Sequence, residues 1–205
     1  MTGSSHEGLV LEWGSAGFAL EHESGDVHVV AGFPHGALVA VIDGLGHGSE
    51  AAAAAKAAAL VLEAHACEPV AELVQQCHEA LHNTRGAVMS LASFDAQHSS
   101  MTWTGVGNVE AILLRADRAA NPAREAISQR GGVVGYQVPK LRASCLSVSP
   151  GDTLIMASDG IRSGFNAGLR LQASPQEMAD AILAEYARGS DDALVVVARY
   201  LGASS

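Results

Sequence analysis

Basic residues are scarce in this chain of 205 residues. Lysine and arginine together number 12, against 22 aspartates and glutamates, and the formal net charge is −10. Proteins that bind nucleic acid without sequence preference need lysine and arginine to neutralise phosphates. We therefore expect no nucleic-acid partner. The acidic balance suits metal binding, but it also suits simple solubility, so net charge alone does not decide between them.

Cysteines and long apolar runs are also scarce. The three cysteines, Cys67, Cys77 and Cys145, form no C-x-x-C pair. This spacing disfavours disulfides and a zinc site and favours a reducing, cytoplasmic location. The first residues show no signal-peptide pattern. No stretch reaches the roughly 18 apolar residues that a membrane span needs, so we expect no membrane association.

Aromatic residues make up only 4% of the chain, while hydrophobic residues make up 48%. The core must therefore be built mainly from alanine, valine, leucine and isoleucine. No proline- or serine-rich linker divides the sequence, and we expect a single domain over residues 1–205.

The order of apolar runs and turn residues predicts an α+β fold. An alanine-rich run with Ser49 as its expected N-cap predicts a first helix to about residue 66, and Pro69 opens a second helix. A third helix is expected over residues 175–188. Strands are predicted at 8–13, 18–22, 27–31, 37–42, 87–94, 100–104, 109–115, 126–129, 141–148, 153–157 and 193–200. This order indicates mostly antiparallel sheets with helices packed outside them.

Four short acidic motifs are the most informative feature of the chain. They are S-G-D at 24–26, V-I-D-G-L-G-H-G at 41–48, A-S-D-G at 157–160 and D-D-A-L-V-V-V at 191–197. Most place an aspartate where an apolar run meets a turn, often beside a glycine. Carboxylates, exposed carbonyls and water are the ligands that Mg²⁺ and Mn²⁺ prefer. The motifs therefore predict a shared divalent-metal centre.

In this order the motifs resemble those of PPM-type (protein phosphatase 2C-like) serine/threonine phosphatases of the SpoIIE and RsbU branch. The segments T-R-G-A at 84–87, G-V-G-N-V-E at 105–110 and Q-R-G-G-V-V-G-Y at 129–136 are similar to the small RsbX type. The similarity covers about residues 8–200. It implies an αββα sandwich of two sheets with the metals at one end.

The resemblance also implies a role for each aspartate. Asp43 would be the catalytic carboxylate that bridges two Mn²⁺ or Mg²⁺ ions, with the Gly44 carbonyl on one of them. Asp159 and Asp191 would complete the shell of the second ion, and Asp26 would contact it directly or through water. A metal-bound hydroxide would then attack phosphorus without a phosphoenzyme.

Other roles stay open in the sequence. Asp192, His47 and Asn108 are candidates for supporting a ligand or contacting the substrate. The alternatives are a solvated side chain for Asp192, shaping of the entry to the first helix for His47, and a turn or packing role for Asn108. No residue is assigned as the proton donor. The expected substrates are phosphorylated STAS-domain proteins of a stressosome-type module. The alternatives are a catalytically inactive protein-binding pseudophosphatase and a hydrolase of small phosphoesters.

Overall fold

Two antiparallel five-stranded sheets pack face to face. The computed structural model describes residues 10–128 and 130–203. Its strands are β1 (Leu11–Phe18), β2 (Asp26–Phe33), β3 (Gly36–Gly44), β4 (Ala87–Asp95), β5 (Ser100–Val106), β6 (Glu110–Leu114), β7 (Arg124–Ala126), β8 (Ser144–Ser147), β9 (Thr153–Ala157) and β10 (Ala193–Tyr200). The first sheet has the order β1-β10-β9-β6-β7, and the second has the order β2-β3-β4-β5-β8.

The helices cover the outer faces of the sheets. Helices α1 (Ser49–Ala64) and α2 (Val70–Ala80) lie on the second sheet, and α3 (Pro175–Tyr186) lies on the first. Buried alanines of α1 pack with Leu38 and Ile42 of β3. Met178 and Ile182 of α3 pack against β10 residues. The layers follow the order helix, sheet, sheet, helix, which confirms the predicted αββα sandwich.

The space between the sheets is filled mainly by aliphatic side chains, as the composition predicts. Aromatic rings contribute at a few points. Phe94 of β4 stacks on Tyr200 of β10 with a centroid separation of 5.8 Å, which joins the two sheets. Both residues are fully buried, and contacts of this kind dominate core energetics.

Glycines in β1 explain an error in the predicted strand boundaries. The sequence predicts strands at 8–13 and 18–22, whereas the described part of this region forms the single strand β1, and residues 20–23 form bends. Gly14 and Gly17 lie inside β1 because neighbouring backbone approaches them closely. A Cβ on Gly14 would lie 2.5 Å from the Gln176 backbone of α3. Glycine inside a strand often marks such an approach rather than a turn.

The start of α1 also differs from the prediction. Gly48, not Ser49, is the N-cap residue, and no side chain caps the helix. Gly48 adopts a φ of 76°, which turns the chain from the D-G-L-G-H-G loop directly into the helix. Ser174 shows the contrasting case, because it caps α3 in a capping box with Glu177.

Within residues 10–128 and 130–203, no helix combines the length and the apolarity needed to cross a bilayer.

The close approach at Gly14 predicts a cost for a single added methyl group. Gly14→Ala should lower the free energy of unfolding by about 1–3 kcal/mol, because α3 must move away from β1. Urea unfolding followed by circular dichroism measures this change. Gly131→Ala is the matched control, since a Cβ there meets no atom within 4 Å. Equal stability of the two variants would contradict this account of the β1–α3 contact.

Candidate metal centre

The fold brings the four acidic motifs to one end of the sandwich. Asp26 begins β2 and stands opposite Asp43 of β3 in the strand register. Asp159 lies two residues beyond the end of β9, and Asp191 lies two residues before β10 begins. Strands β9 and β10 are paired neighbours in the first sheet. Each sheet therefore contributes aspartates from two adjacent strands.

A buried serine joins the two sheets at this end. The Ser158 hydroxyl donates to Asp26 Oδ2 at 2.6 Å and accepts a hydrogen bond from the Leu194 N–H at 3.0 Å. Ser158 is only 2% exposed, so these contacts replace water. The arrangement fixes the Asp26 carboxylate of the second sheet against β10 of the first.

Asp192 makes a second connection between the sheets. Its carboxylate accepts hydrogen bonds from the backbone N–H groups of Leu20 at 2.7 Å and Gly25 at 2.6 Å. Because Asp192 is 5% exposed, it is a buried anchor rather than a solvated side chain. It holds the segment that leads into Asp26, which fits the supporting role left open in the sequence.

Two glycines of the acidic motifs are needed for close packing. A Cβ on Gly44 would lie 2.2 Å from the Ala51 carbonyl oxygen in the first turn of α1. A Cβ on Gly160 would lie 1.9 Å from the carbonyl oxygen of Asp192. Glycine at these positions lets α1 approach β3 and lets the turn after β9 approach the start of β10. The sequence suggested only that Gly44 leaves its carbonyl accessible.

A cavity of about 590 Å³ opens at this end of the sandwich. Asp43, Asp159 and Asp191 lie on its wall, whereas Asp26 and Asp192 do not. Val88 of β4 also lies on the wall, and the remaining wall residues come from the loops around the site: Leu45, Gly46, His47, Gly107, Asn108, Gly131, Gly132 and Val133. The structure thus separates three carboxylates that line the cavity from Asp26 and Asp192, which lie outside its lining.

Asn108 and His47 both reach this cavity. The Asn108 side-chain amide donates to Asp159 Oδ2 at 2.8 Å, so it orients a carboxylate of the wall. His47 lies with its Nδ1 2.7 Å from Glu21 Oε1, and both side chains are about half exposed or more. Asn108 is therefore a positioning residue for Asp159, and His47 is an accessible group at the cavity.

Burial and mutual repulsion perturb the carboxylates that pair across β2 and β3. Burial, followed by the charges of the other aspartates, raises the pKa of Asp43 to about 8. Burial also raises the pKa of Asp26 to about 7, although the hydrogen bond from Ser158 opposes this rise. Two raised carboxyl pKa values at one site are typical of a functional centre, although structural clusters also produce them.

The charges of this cluster have no basic partner among the described residues. The ion pairs of residues 10–128 and 130–203 all involve other carboxylates. A cation bound in the cavity would supply the missing positive charge. The oxygen-only set of carboxylates fits a hard divalent ion rather than zinc or copper.

The carboxylates at this end of the sandwich are spread around the cavity. In the described part of the chain, no group of three histidine, cysteine, aspartate or glutamate side chains forms a ready-made ion site. Mg²⁺ is usually held in proteins by one or two carboxylates, with waters completing an octahedron. Carboxylates spaced around a cavity of this size are consistent with that mode of binding.

Sequence reasoning missed Ser158 although it lies inside the A-S-D-G motif. Its partner Asp26 is 132 residues away in the chain, so no local spacing reveals the contact. A serine directly before a candidate ligand, in a buried position at a strand end, is the signal that was available.

Comparison with known proteins identifies relatives of the whole fold. The family model described as Stage II sporulation protein E (SpoIIE) matches residues 34–201. Phosphoserine phosphatase RsbX of Bacillus subtilis (strain 168) is 29% identical over 126 residues, which are 60% of this chain and 60% of the length of RsbX.

Solved structures extend this similarity. A structure from work on the bacterial stressosome as a modular system adapted to control secondary messenger signaling is 32% identical, with a TM-score of 0.83. The match covers 92% of this chain and 99% of the chain in that structure. The crystal structure of RsbX in complex with magnesium is 23% identical and has a TM-score of 0.78. That match covers 96% of this chain and 97% of the RsbX chain. At that identity the second likeness shows the fold alone.

The raised pKa values predict how pH affects the stability of the protein without divalent ions. The pKa of Asp43 is about 8 in the folded protein and about 4 in an unfolded chain, so the folded state binds this proton more tightly. The free energy of unfolding therefore falls as pH rises from about 4 to about 8. Asp43→Asn removes this penalty. In EDTA it should therefore stabilise the protein more at pH 8 than at pH 5.

Urea unfolding at the two pH values tests this expectation. Asp180→Asn, an exposed substitution on α3, is the control and should show no such pH-dependent gain. The same gain for Asp43→Asn at both pH values would refute the electrostatic explanation.

Loss of the Ser158 hydroxyl should weaken the junction between the sheets. Ser158→Ala leaves the Leu194 N–H without its side-chain partner and deprives Asp26 of a donor. We expect a loss of about 1–3 kcal/mol in the free energy of unfolding. Ser163→Ala, which removes an exposed hydroxyl bonded to Glu110, should cost much less. Comparable losses in the two variants would show that the junction is not a stabilising contact.

Proposed function

The chain belongs to the SpoIIE family of PP2C-like proteins, and we propose that it is a divalent-metal-dependent phosphatase of phosphoserine or phosphothreonine in proteins. The family membership confirms the resemblance found in the acidic motifs. The similarity to phosphoserine phosphatase RsbX supports the predicted enzyme class. The observation that carries the proposal is the cavity with Asp43, Asp159 and Asp191 on its wall, where no basic residue of 10–128 or 130–203 forms an ion pair with them.

The proposed ligands are those indicated by the motifs. Asp43 would bridge two ions and the Gly44 carbonyl would complete one of them, while Asp159 and Asp191 would hold the other. Asp26 would contact an ion directly or through a water, since it is fixed by Ser158 and does not lie on the cavity wall. Mg²⁺ and Mn²⁺ both suit this oxygen donor set.

Bound ions would activate a water for attack on phosphorus and offset the charge of the phosphoryl group. The protein supplies the positioning. Asn108 orients Asp159 through its amide, and Asp192 holds the segment that carries Asp26. The raised pKa of Asp43 means that this carboxyl must lose a proton when an ion binds near neutral pH. His47 is an accessible polar group on the cavity wall, and the proton donor is left unassigned.

The proposed substrates are phosphorylated STAS-domain proteins of a stressosome-type module. The support is the similarity to a structure from work on the bacterial stressosome, which extends over 92% of this chain. A cytoplasmic setting accords with the three free cysteines of the described residues. A catalytically inactive binding protein and a hydrolase of small phosphoesters are the competing readings.

Release of inorganic phosphate from a serine-phosphorylated STAS-domain protein tests the proposal. The wild-type protein should release phosphate in the presence of Mn²⁺ or Mg²⁺, and this release should stop when EDTA is added. Asp43→Asn should lower the rate by roughly a hundredfold or more, because it removes the carboxylate shared by both ions. Asp117→Asn, in the exposed loop between β6 and β7, is the control and should retain the wild-type rate.

The outcomes separate the alternatives. Binding of the phosphoprotein without phosphate release under either ion would identify a pseudophosphatase. Hydrolysis of an aryl phosphate alone would favour a small-molecule hydrolase. Either result would overturn the proposed function.

A further inference from the structure

Two segments that the metal centre does not use meet at the rim of the cavity. They are residues 84–86 before β4 and residues 131–137, whose first members line the cavity. A Cβ on Gly86 would lie 2.6 Å from the Val134 carbonyl oxygen, so the segments are in direct backbone contact. Ala87 and Val134 also exchange two backbone hydrogen bonds, of 3.0 and 2.8 Å. We call these two segments together the rim.

The 131–137 segment is a tightly held turn. Val133 and Gln137 exchange backbone hydrogen bonds at 2.8 Å in both directions. The Gly135 N–H donates to His78 Nδ1 of α2 at 2.9 Å, and the Val134 side chain is fully buried in the core beneath the second sheet. The turn is thus attached to β4 on one side and to α2 on the other.

This rigid turn presents an aromatic side chain to solvent. Tyr136 is 84% exposed. This fraction is larger than that of the other exposed large hydrophobic residues in the described part of the chain, which are Leu20, Leu60 and Leu201. Its backbone N–H is bonded to the Val133 carbonyl, and Val133 lies on the cavity wall. A tyrosine on a fixed backbone loses little conformational entropy on binding, which is why tyrosine is frequent among the residues that dominate protein interfaces.

A basic side chain lies on the same rim. The Arg85 guanidinium packs against Gly46 in the loop after β3. The contact is so close that a Cβ on Gly46 would lie 2.7 Å from Arg85 Nη1. Arg85 pairs with Glu50 at 2.5 Å, and both side chains are about half exposed or more. Exposed ion pairs are worth little, so an anionic group of a docked protein can take the place of Glu50.

We propose that the rim is the docking surface for the folded phosphoprotein substrate, with Tyr136 as its apolar anchor and Arg85 as its anion contact. This inference rests on the proposed function. The commitment to a phosphoprotein follows from position, since the rim borders the cavity in which the phosphoryl group would react. Tyr136 does not lie on the cavity wall, so a small phosphoester bound in the cavity would not need it.

Steady-state kinetics with two substrates tests the docking surface. The substrates are a serine-phosphorylated STAS-domain protein and p-nitrophenyl phosphate. Tyr136→Ala should lower kcat/KM for the phosphoprotein about tenfold or more, mainly through KM, and should leave turnover of p-nitrophenyl phosphate unchanged. Tyr136→Phe keeps the ring and should stay within about threefold of the wild type. Tyr136→Glu, which places a negative charge there, should lose at least as much as Tyr136→Ala.

Leu60→Ala is the matched control, because Leu60 is 67% exposed and lies on the helix α1 rather than on the rim. It should leave both substrates unaffected. Equal loss on both substrates in Tyr136→Ala, or no loss on the phosphoprotein, would overturn the docking proposal. Self-association of the wild type that Tyr136→Ala abolishes, with unchanged kinetics, would assign the rim to a second copy of the chain and would also overturn it. A wild type that releases phosphate from neither substrate refutes the proposed function instead.

Discussion

Repulsion among clustered aspartates is the constraint on which this end of the structure depends. Burial, together with the charges of the neighbouring aspartates, raises the pKa of Asp43 to about 8 and that of Asp26 to about 7. Bringing these carboxylates together lowers the stability of the fold when they are ionised. A hydrogen bond from Ser158 holds Asp26, and the backbone N–H groups of Leu20 and Gly25 hold Asp192. Asp43, Asp159 and Asp191 lie on the cavity wall. A bound cation would offset the remaining charge, which is the link between the packing and the proposed chemistry.

Close backbone packing is the means by which the fold reaches this arrangement. Gly44 admits the first turn of α1 against β3, and Gly160 admits the turn after β9 against the start of β10. Asp43 of the second sheet and Asp159 and Asp191 of the first therefore share one cavity. On the same side, the rim adds a rigid aromatic and a basic group. The proposed tasks of the two are therefore distinct, since the centre would hold the ions and the rim would contact a protein surface.

Much of this could be predicted from the sequence for identifiable reasons. Apolar runs that end in aspartate placed Asp43, Asp159 and Asp191 at strand ends, and the structure brings these three to one cavity. The junction of the sheets could not be predicted, because Ser158 and Asp26 are 132 residues apart, and Gly25 and Asp192 are 167 apart. Gly14 was read as a turn because periodicity does not reveal that α3 packs directly on it. The exposure of Tyr136 likewise depends on contacts with α2 and β4 that lie far away in the chain.

Titration of the protein with Mn²⁺, followed by electron paramagnetic resonance of the free ion, tests whether aspartates from both sheets form one divalent-ion centre. Saturable binding is expected in the wild type, weakened by at least about tenfold in Asp43→Asn and unchanged in Asp180→Asn. Equal Mn²⁺ binding by the wild type and Asp43→Asn would show that Asp43 is not part of such a centre.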